Sequence, residues 1–317
     1  MHSNLFLKTF RILLFPLAII YWLLIFIRNK LYDKKIFSSA EFGLPLICVG
    51  NLSVGGTGKS PMVEYLVLNL KNKFRVATLS RGYKRKTKGY ALANDRSDAL
   101  EIGDEPMQFH LKFPDVPVAV GEERLDAIPQ LLHDKPDTQC IILDDAFQHR
   151  AVKAGLNILL TDYNNLFTRD FFLPTGDLRD LKSSYKRAEI IIVTKCDLSL
   201  SDEMKKEIIE EINPLPHQHI FFTANLYSDL YHIKRHGEKT ELSVNKDVLL
   251  VTGIANPQHL KDLLVDNSKT YFMLHFPDHH IFTIDDWKEI KKRFDRIDTK
   301  EKIIITTEKR CGKAVKI

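Results

Sequence analysis

Gly55-Gly-Thr-Gly-Lys-Ser60 gathers the residue types needed to hold a chain of phosphates. Glycines tolerate φ > 0, so consecutive backbone N–H groups can turn into one concavity and form a nest for phosphate oxygens. A helix starting at the same point adds the positive end of its dipole. From such a loop a lysine reaches the β- and γ-phosphates, and the hydroxyl after it helps to hold Mg²⁺. The residues expected around the nucleotide are therefore Ser53, Val54, Gly55, Gly56, Thr57, Gly58, Lys59 and Ser60. The G-x-x-x-x-G-K-[ST] pattern asks for glycine where Ser53 stands, and Gly55 and Gly56 supply the missing freedom beside it.

Three further stretches carry chemistry. Cys140-Ile-Ile-Leu-Asp-Asp145 is an apolar strand ending in two carboxylates, the form in which Mg²⁺ is held directly or through water beside a phosphate-binding loop. Asp144 and Asp145 are accordingly the expected metal residues. Arg81-Gly-Tyr-Lys-Arg-Lys-Thr-Lys88 places five cations in eight residues at the end of a strand. Open α/β sheets put their ligands there, so the loop is read either as a solvated charged turn or as a contact for an anionic substrate group or a phospholipid surface. Asp104-Glu105 precedes a helical stretch and, taken alone, reads as a pair of first-turn acids.

The elements that must position these residues follow from pattern. Leu46–Val49 is an apolar run before the glycine loop, and Met62, Leu66, Leu68 and Leu70 continue as a helix behind it. Strands are expected at 74–80, 139–145, 156–160 and 190–194, alternating with helices, which indicates a doubly wound, mostly parallel sheet. A polar stretch over 226–246 reads as a linker. Beyond it a smaller α/β domain is expected at 247–317, with strands at 248–252, 271–276 and 303–306 and a helix near 285–297. The main nucleotide-binding domain would then occupy 37–225.

Residues 1–36 form a separate segment. Ile12–Ile27 carries no charge, which is shorter than the ~20 apolar residues of a full bilayer span. Cations flank it, and Tyr21 and Trp22 lie inside it, as suits a helix at an anionic membrane surface. The whole net charge of +5 resides in this segment, which holds six cations and one anion. The rest of the chain is balanced, so no nucleic-acid footprint is implied. With 44% hydrophobic and 27% charged residues the chain is not disordered. Cys48, Cys140, Cys196 and Cys311 have no metal or redox spacing and read as core residues in a reducing compartment.

Taken in order, Gly50-Asn-Leu-Ser-Val-Gly-Gly-Thr-Gly-Lys59, Ser80-Arg-Gly-Tyr83, Gly103-Asp-Glu-Pro106, Asp144-Asp-Ala-Phe-Gln-His149 and Phe276-Pro-Asp-His279 resemble the tetraacyldisaccharide 4′-kinase family over nearly the whole chain. The resemblance implies a P-loop NTPase-like fold. It also implies transfer of the ATP γ-phosphate, with Mg²⁺, to the 4′-hydroxyl of the lipid A disaccharide 1-phosphate precursor. The enzyme would work at the cytosolic face of the inner membrane, with no obligate protein partner and no nucleic acid. By the same resemblance Asp104 is the catalytic base, paired with His279, and Lys59 acts on the transferred phosphate. Glu105 joins Ser60, Asp144 and Asp145 at the metal. Arg81, Tyr83, Arg179 and Asp180 meet the substrate.

Two departures from the family pattern stand out. Leu178-Arg-Asp180 has aspartate where glutamate is usual, and Thr306-Thr-Glu-Lys309 is followed by only eight residues, so the second domain is expected to be shortened. Two other readings stay open. A ParA/MinD-like switch ATPase shares Gly55 to Ser60, although Val54 stands where that class carries a signature lysine. A P-loop GTPase is suggested by Thr194-Lys-Cys-Asp197, although Asp144-Asp-Ala-Phe147 lacks the expected Asp-x-x-Gly.

Overall fold

Helix α1 (Phe15–Asp33) begins with Pro16 in its first turn, where proline's missing N–H costs nothing. A computed structural model describes residues 14–226, 230–232, 235–240, 242–253, 257–277, 280 and 282–307. The chain divides into two compact units, one of residues 1–81, 88–92 and 115–225, the other of residues 82–87, 93–114 and 226–317.

In the first unit α1 is followed by β1 (Leu46–Asn51), α2 (Lys59–Leu70), β2 (Val76–Ser80) and the short β3 (Ala91–Leu92). Two helices of the second unit come next in the chain, α3 (Ala99–Ile102) and α4 (Asp104–Lys112). The first unit then resumes with β4 (Val118–Val120), α5 (Arg124–Asp134), β5 (Cys140–Asp144), β6 (Leu156–Asp162), β7 (Ile190–Thr194), α6 (Asp202–Ile212) and β8 (His219–Phe222). Its sheet runs β3-β4-β2-β5-β1-β6-β7-β8, parallel throughout except for the β3–β4 pair. β1, β2, β5 and β7 are apolar and buried almost end to end, as strands covered on both faces must be. The expected doubly wound parallel sheet is the one observed.

Strand order puts the chemistry in place. β1 leads through α2 to β2 on one side, while the chain returns through β5 and crosses to β6 on the other. The carboxyl ends of β1 and β5 therefore meet at the topological switch point, where such sheets bind ligands. Val49 of β1 stands opposite Asp144 of β5.

Helix α1 has two unlike faces. Phe15, Leu17, Ile19, Ile20, Leu23 and Leu24 are exposed, whereas Ala18 and Asn29 are buried. On the buried side Asn29 donates to Asp180 Oδ1 at 2.7 Å, Tyr21 donates to the Arg179 carbonyl at 3.0 Å, and Arg28 donates to the Gln148 carbonyl at 2.8 Å. A hydrogen bond to a charged group contributes about 1.5–3 kcal/mol, so these contacts hold the helix on the first unit.

The second unit contains α3 and α4, an antiparallel pair β9 (Leu230–His232) and β10 (Arg235–Thr240) inside the stretch expected as linker, and a three-stranded parallel sheet. That sheet is built from β11 (Asp247–Thr252), α7 (Gln258–Asn267), β12 (Thr270–His275), α8 (Ile284–Asp295) and β13 (Lys302–Thr306), in the order β12-β11-β13. Its core is Leu249, Val251, Phe276, Phe282 and Ile290 on one face and Val248, Leu250, Leu260 and Leu264 on the other. Cys48, Cys140 and Cys196 are buried and free; Cys311 lies outside the described residues.

Candidate active site

The glycine loop connects the end of β1 to the start of α2, as the motif requires. Gly55 (φ 107°) and Gly58 (φ 84°) occupy the left-handed region, and Gly58 is the residue from which α2 departs. The loop is braced from behind. The Val54 N–H donates to the Asp177 carbonyl at 2.7 Å and the Arg179 N–H to the Leu52 carbonyl at 2.8 Å. Ser53, where the pattern has glycine, is buried and donates to Asp170 Oδ2 at 3.3 Å. Thr57 offers its carbonyl to the Thr194 hydroxyl at 2.9 Å. The departure at Ser53 thus serves to fasten the loop.

Gly50 meets a different demand. A Cβ added there would sit 2.5 Å from Phe147 Cβ, so the Asp144–Phe147 turn can approach β1 only because Gly50 has no side chain. Gly50→Ala is expected to destabilise the protein by about 1–3 kcal/mol through overpacking. Chemical denaturation checks this; an unchanged midpoint would show that the turn can move aside.

The two aspartates at the end of β5 part company. Asp144 is buried and accepts from the Ser80 hydroxyl at 3.3 Å. Asp145 adopts a left-handed backbone (φ 50°) that swings its carboxylate to Arg179, with which it forms a two-point ion pair, and to 3.7 Å from Lys59. Asn51 completes this cluster: its Oδ1 accepts from Arg179 Nη2 at 2.5 Å and from Lys59 Nζ at 3.2 Å. Burial pushes the Asp145 carboxyl up, but the Arg179 hydrogen bonds and the charges of Lys59, Arg179 and Arg124 outweigh it, and the net shift is downward.

That shift fixes a pH dependence. A depressed carboxylate contributes stability above its ordinary value of ~3.9, which is lost as pH falls through the folded value. Arg179→Gln removes the contribution, so the wild type should exceed the variant in stability most above pH ~4. The gap should close on acidification. Unfolding midpoints measured across pH test it, and a gap that widens in acid would contradict it.

Magnesium would find hard oxygen donors here. Asp144, at the end of β5, and the Ser60 hydroxyl, in the first turn of α2, are donors of that kind, and Mg²⁺ commonly takes one or two carboxylates with waters and phosphate oxygens as its remaining ligands.

Arg81, exposed, ends the first segment of the first unit, and the second unit carries Tyr83, Asp104 and Glu105. Gly103 (φ 96°) precedes α4, and a Cβ there would lie 3.3 Å from Gly82 Cα and from the Tyr83 carbonyl. Gly82 likewise approaches the Ile102 carbonyl, 3.1 Å from where its own Cβ would be. Gly82-Tyr83 and Ile102-Gly103 are therefore packed backbone to backbone. Asp104 opens α4 and is buried, with Glu105 half-buried after it. Tyr83 is exposed, with Lys84 Nζ 5.4 Å from its ring centre. Asp278 and His279 lie outside the described residues. Beside them His280 stacks on Phe276 at 4.8 Å and bonds Asp286 at 2.9 Å. Asp286 also forms the capping box of α8 with Thr283.

A family model described as tetraacyldisaccharide-1-P 4′-kinase matches residues 10–317. The chain belongs to the tetraacyldisaccharide 4′-kinase family. A tetraacyldisaccharide 4′-kinase of Flavobacterium johnsoniae is 48% identical over 303 residues, covering 94% of this chain and 86% of the relative. One of Bacteroides thetaiotaomicron is 44% identical over 307 residues, covering 93% and 81%. A crystal structure of LpxK from Aquifex aeolicus in complex with ATP is 29% identical, with a TM-score of 0.76 over 96% of this chain and 90% of that one. The switch-ATPase and GTPase readings fall away with this membership, and the P-loop NTPase-like architecture agrees with it.

Within this kinase chain, one expected substrate residue is placed elsewhere. Asp180 is 1% exposed and accepts from Asn29 (2.7 Å), the Leu181 N–H (2.8 Å), Ser184 (2.8 Å) and Arg187 (2.8 Å). Its short side chain turns inward as a buried carboxylate hub. Arg179 points to Asp145 and Asn51.

Three residues were not anticipated. Asn51 joins Lys59 to Arg179. Gln148 donates to the Asn51 carbonyl at 2.8 Å. Arg124, 2% exposed at the start of α5, donates to the Asp144 carbonyl at 3.2 Å and to the Gly121 carbonyl. Burial lowers its pKa against the pull of Asp144 and Asp145. The available signal for Arg124 was its place just after β4, at the ligand end of the sheet. His149, which receives the Arg124 N–H at 3.3 Å, is pushed down by burial and then by Arg124, so it favours the neutral ring.

Proposed function

We propose that this protein transfers the γ-phosphate of ATP to the 4′-hydroxyl of a tetraacylated glucosamine disaccharide 1-phosphate, producing lipid IVA in lipid A biosynthesis. The single observation that carries the reading is the family match over residues 10–317, which includes every motif described above.

The residues take the following parts. The backbone N–H groups of the loop from Ser53 to Ser60, with the start of α2, cradle the ATP phosphates. Lys59 places a positive charge where charge develops on the transferred phosphoryl group. Asp144 and Ser60 would hold Mg²⁺, with Glu105 and Asp145 as further carboxylates for it, Asp145 being also engaged by Arg179 and Lys59. The ion, when bound, neutralises charge on the β- and γ-phosphates. Asp104 takes the proton of the attacking 4′-hydroxyl, with His279 orienting it. The new bond joins the sugar oxygen to phosphorus, the bond from phosphorus to the β–γ bridging oxygen breaks, and ADP leaves. Arg81 and Tyr83 meet the 1-phosphate end of the disaccharide or neighbouring lipid head groups.

Helix α1 brings the enzyme to its substrate at the cytosolic face of the inner membrane, where ATP is available. Nineteen residues long, it is apolar enough to cross a membrane. Its buried contacts to Arg179, Asp180 and Gln148 keep it against the protein instead, and its exposed Phe15, Leu17, Ile20 and Leu24 enter the lipid. An apolar helical face with basic flanks binds an anionic interface in this way. The double variant Ile20→Ser/Leu24→Ser is expected to reduce co-sedimentation with anionic phospholipid vesicles; undiminished co-sedimentation would give the attachment to other surfaces.

The kinase reading is tested by following ADP release with and without the lipid acceptor. Release that depends on the tetraacyldisaccharide supports it. An acceptor-independent rate of the same size would make the protein an ATPase.

A further inference from the structure

Two chains of hydrogen bonds run from helix α1 to Asn51, which holds the lysine of the phosphate-binding loop, both inside the first unit. In one, Tyr21 donates to the Arg179 carbonyl at 3.0 Å, and Asn29 donates at 2.7 Å to Asp180, the next residue. The Arg179 guanidinium then holds Asp145 and, at 2.5 Å, Asn51 Oδ1, the atom that also receives Lys59 Nζ. In the other, Arg28 donates to the Gln148 carbonyl at 2.8 Å, and the Gln148 side chain donates to the Asn51 carbonyl at 2.8 Å. Both end on Asn51, at the last position of β1, from which the loop starts.

The buried side of α1 has no use in a simple anchor. An anchoring helix needs apolar residues toward lipid, and α1 has them on its exposed face. Asn29 is 4% exposed, although it stands between Arg28 and Lys30 at the charged end of the helix. Its Nδ2 serves Asp180 and Ser184, and its carbonyl accepts from Arg150 Nη1 at 3.0 Å. Arg150 also pairs with Asp33, at the end of the same helix, at 2.8 Å. The segment these contacts hold is the one that braces the glycine loop through the Asp177 carbonyl and the Arg179 N–H.

We infer that Tyr21 and Asn29 are positioning residues for phosphoryl transfer: the membrane helix doubles as a strut that fixes the Arg179–Asp180 segment, and through it Asn51 and Lys59. This rests on the kinase reading. Displacing a phosphate-facing cation by a fraction of an ångström leaves ATP binding through the loop's backbone N–H groups in place, but spoils the alignment that only the transition state requires. The strut therefore acts even where no membrane is present.

The test uses the full chain with detergent-dispersed tetraacyldisaccharide 1-phosphate and ATP, comparing wild type, Tyr21→Phe and Asn29→Ala. Tyr21→Phe removes one oxygen and leaves the ring, so it keeps the test open if Asn29→Ala folds poorly. The expected result is a fall in kcat of about tenfold to a hundredfold for Asn29→Ala and a smaller one for Tyr21→Phe, with the KM for ATP unchanged. Co-sedimentation with vesicles should stay at the wild-type level in both. Wild-type kcat in both variants overturns the proposal, as does a loss that appears only in the KM for ATP or only in parallel with lost vesicle binding. Wild-type transfer in the same assay checks the kinase reading separately.

Discussion

Asp104→Ala is expected to bind ATP as the wild type does while losing phosphoryl transfer by about 10²–10⁴-fold, the usual contribution of a positioned general base. A sugar hydroxyl is a poor nucleophile until its proton has somewhere to go. Asp104, the proposed base, is placed by backbone: Gly103 turns the chain through a left-handed conformation into α4, and the close approach of Gly82 and Tyr83 leaves that turn little room for a side chain. Because the base acts only in the transfer step, the loss should fall on kcat and on kcat/KM for the lipid equally. Isothermal titration with ATP beside steady-state transfer rates separates the alternatives. Equal loss of ATP affinity would move Asp104 to a metal-holding or structural part.

Lys59→Ala should differ in kind. In the proposed role Lys59 reaches the phosphates both before and during transfer, so its removal is expected to weaken ATP binding and also to reduce transfer by about 10²–10³-fold, as loss of one preorganised charge donor does. Arginine should restore little, because its planar fork cannot replace a compact ammonium that has to meet Asn51 and the phosphate oxygens from one point. The cluster adds a local consequence. Without Lys59, Asp145 keeps only Arg179 as a direct ionic partner among the described residues. The same titration and rate measurements check the prediction; a variant that lost affinity but kept kcat would confine Lys59 to binding.

The fold and the nucleotide end of the site were legible because their signals are local. A strand, a glycine loop and a helix follow one another within 46–70, and the loop works through backbone N–H groups that need only the right φ values. The place of Asp144 at the end of β5 was legible for the same reason: an apolar strand ending in a carboxylate is a local pattern, and β1 lies beside it in the sheet. The rest depends on partners far away in sequence. Asp180 was expected at the substrate from the family resemblance, yet its oxygens are taken up by Asn29, 151 residues earlier, and by Arg187. Asn29 itself was hidden between Arg28 and Lys30, just after the apolar run, where a further polar residue reads as part of the charged flank. Arg124 was hidden by the usual preference of arginine for the surface.

Asp145 shows how a local motif can be right about place and incomplete about contact. Its neighbour Asp144 continues the strand, but the left-handed turn at Asp145 sends the second carboxylate to Arg179. Nothing in a run of two aspartates specifies that turn. It follows from the close packing of Gly50 against Phe147, which draws the chain back over β1. The division into units was equally invisible, since residues 93–114 leave the sheet between β3 and β4 and cluster with the C-terminal part of the chain.

The most direct test of the kinase assignment is a transfer assay with γ-labelled ATP, Mg²⁺ and detergent-dispersed tetraacyldisaccharide 1-phosphate, followed by location of the label on the product. Label is expected in the lipid, attached at the 4′ position and absent when Asp104 is replaced by alanine. Label released only as inorganic phosphate, or attached anywhere but the 4′ position, would contradict it.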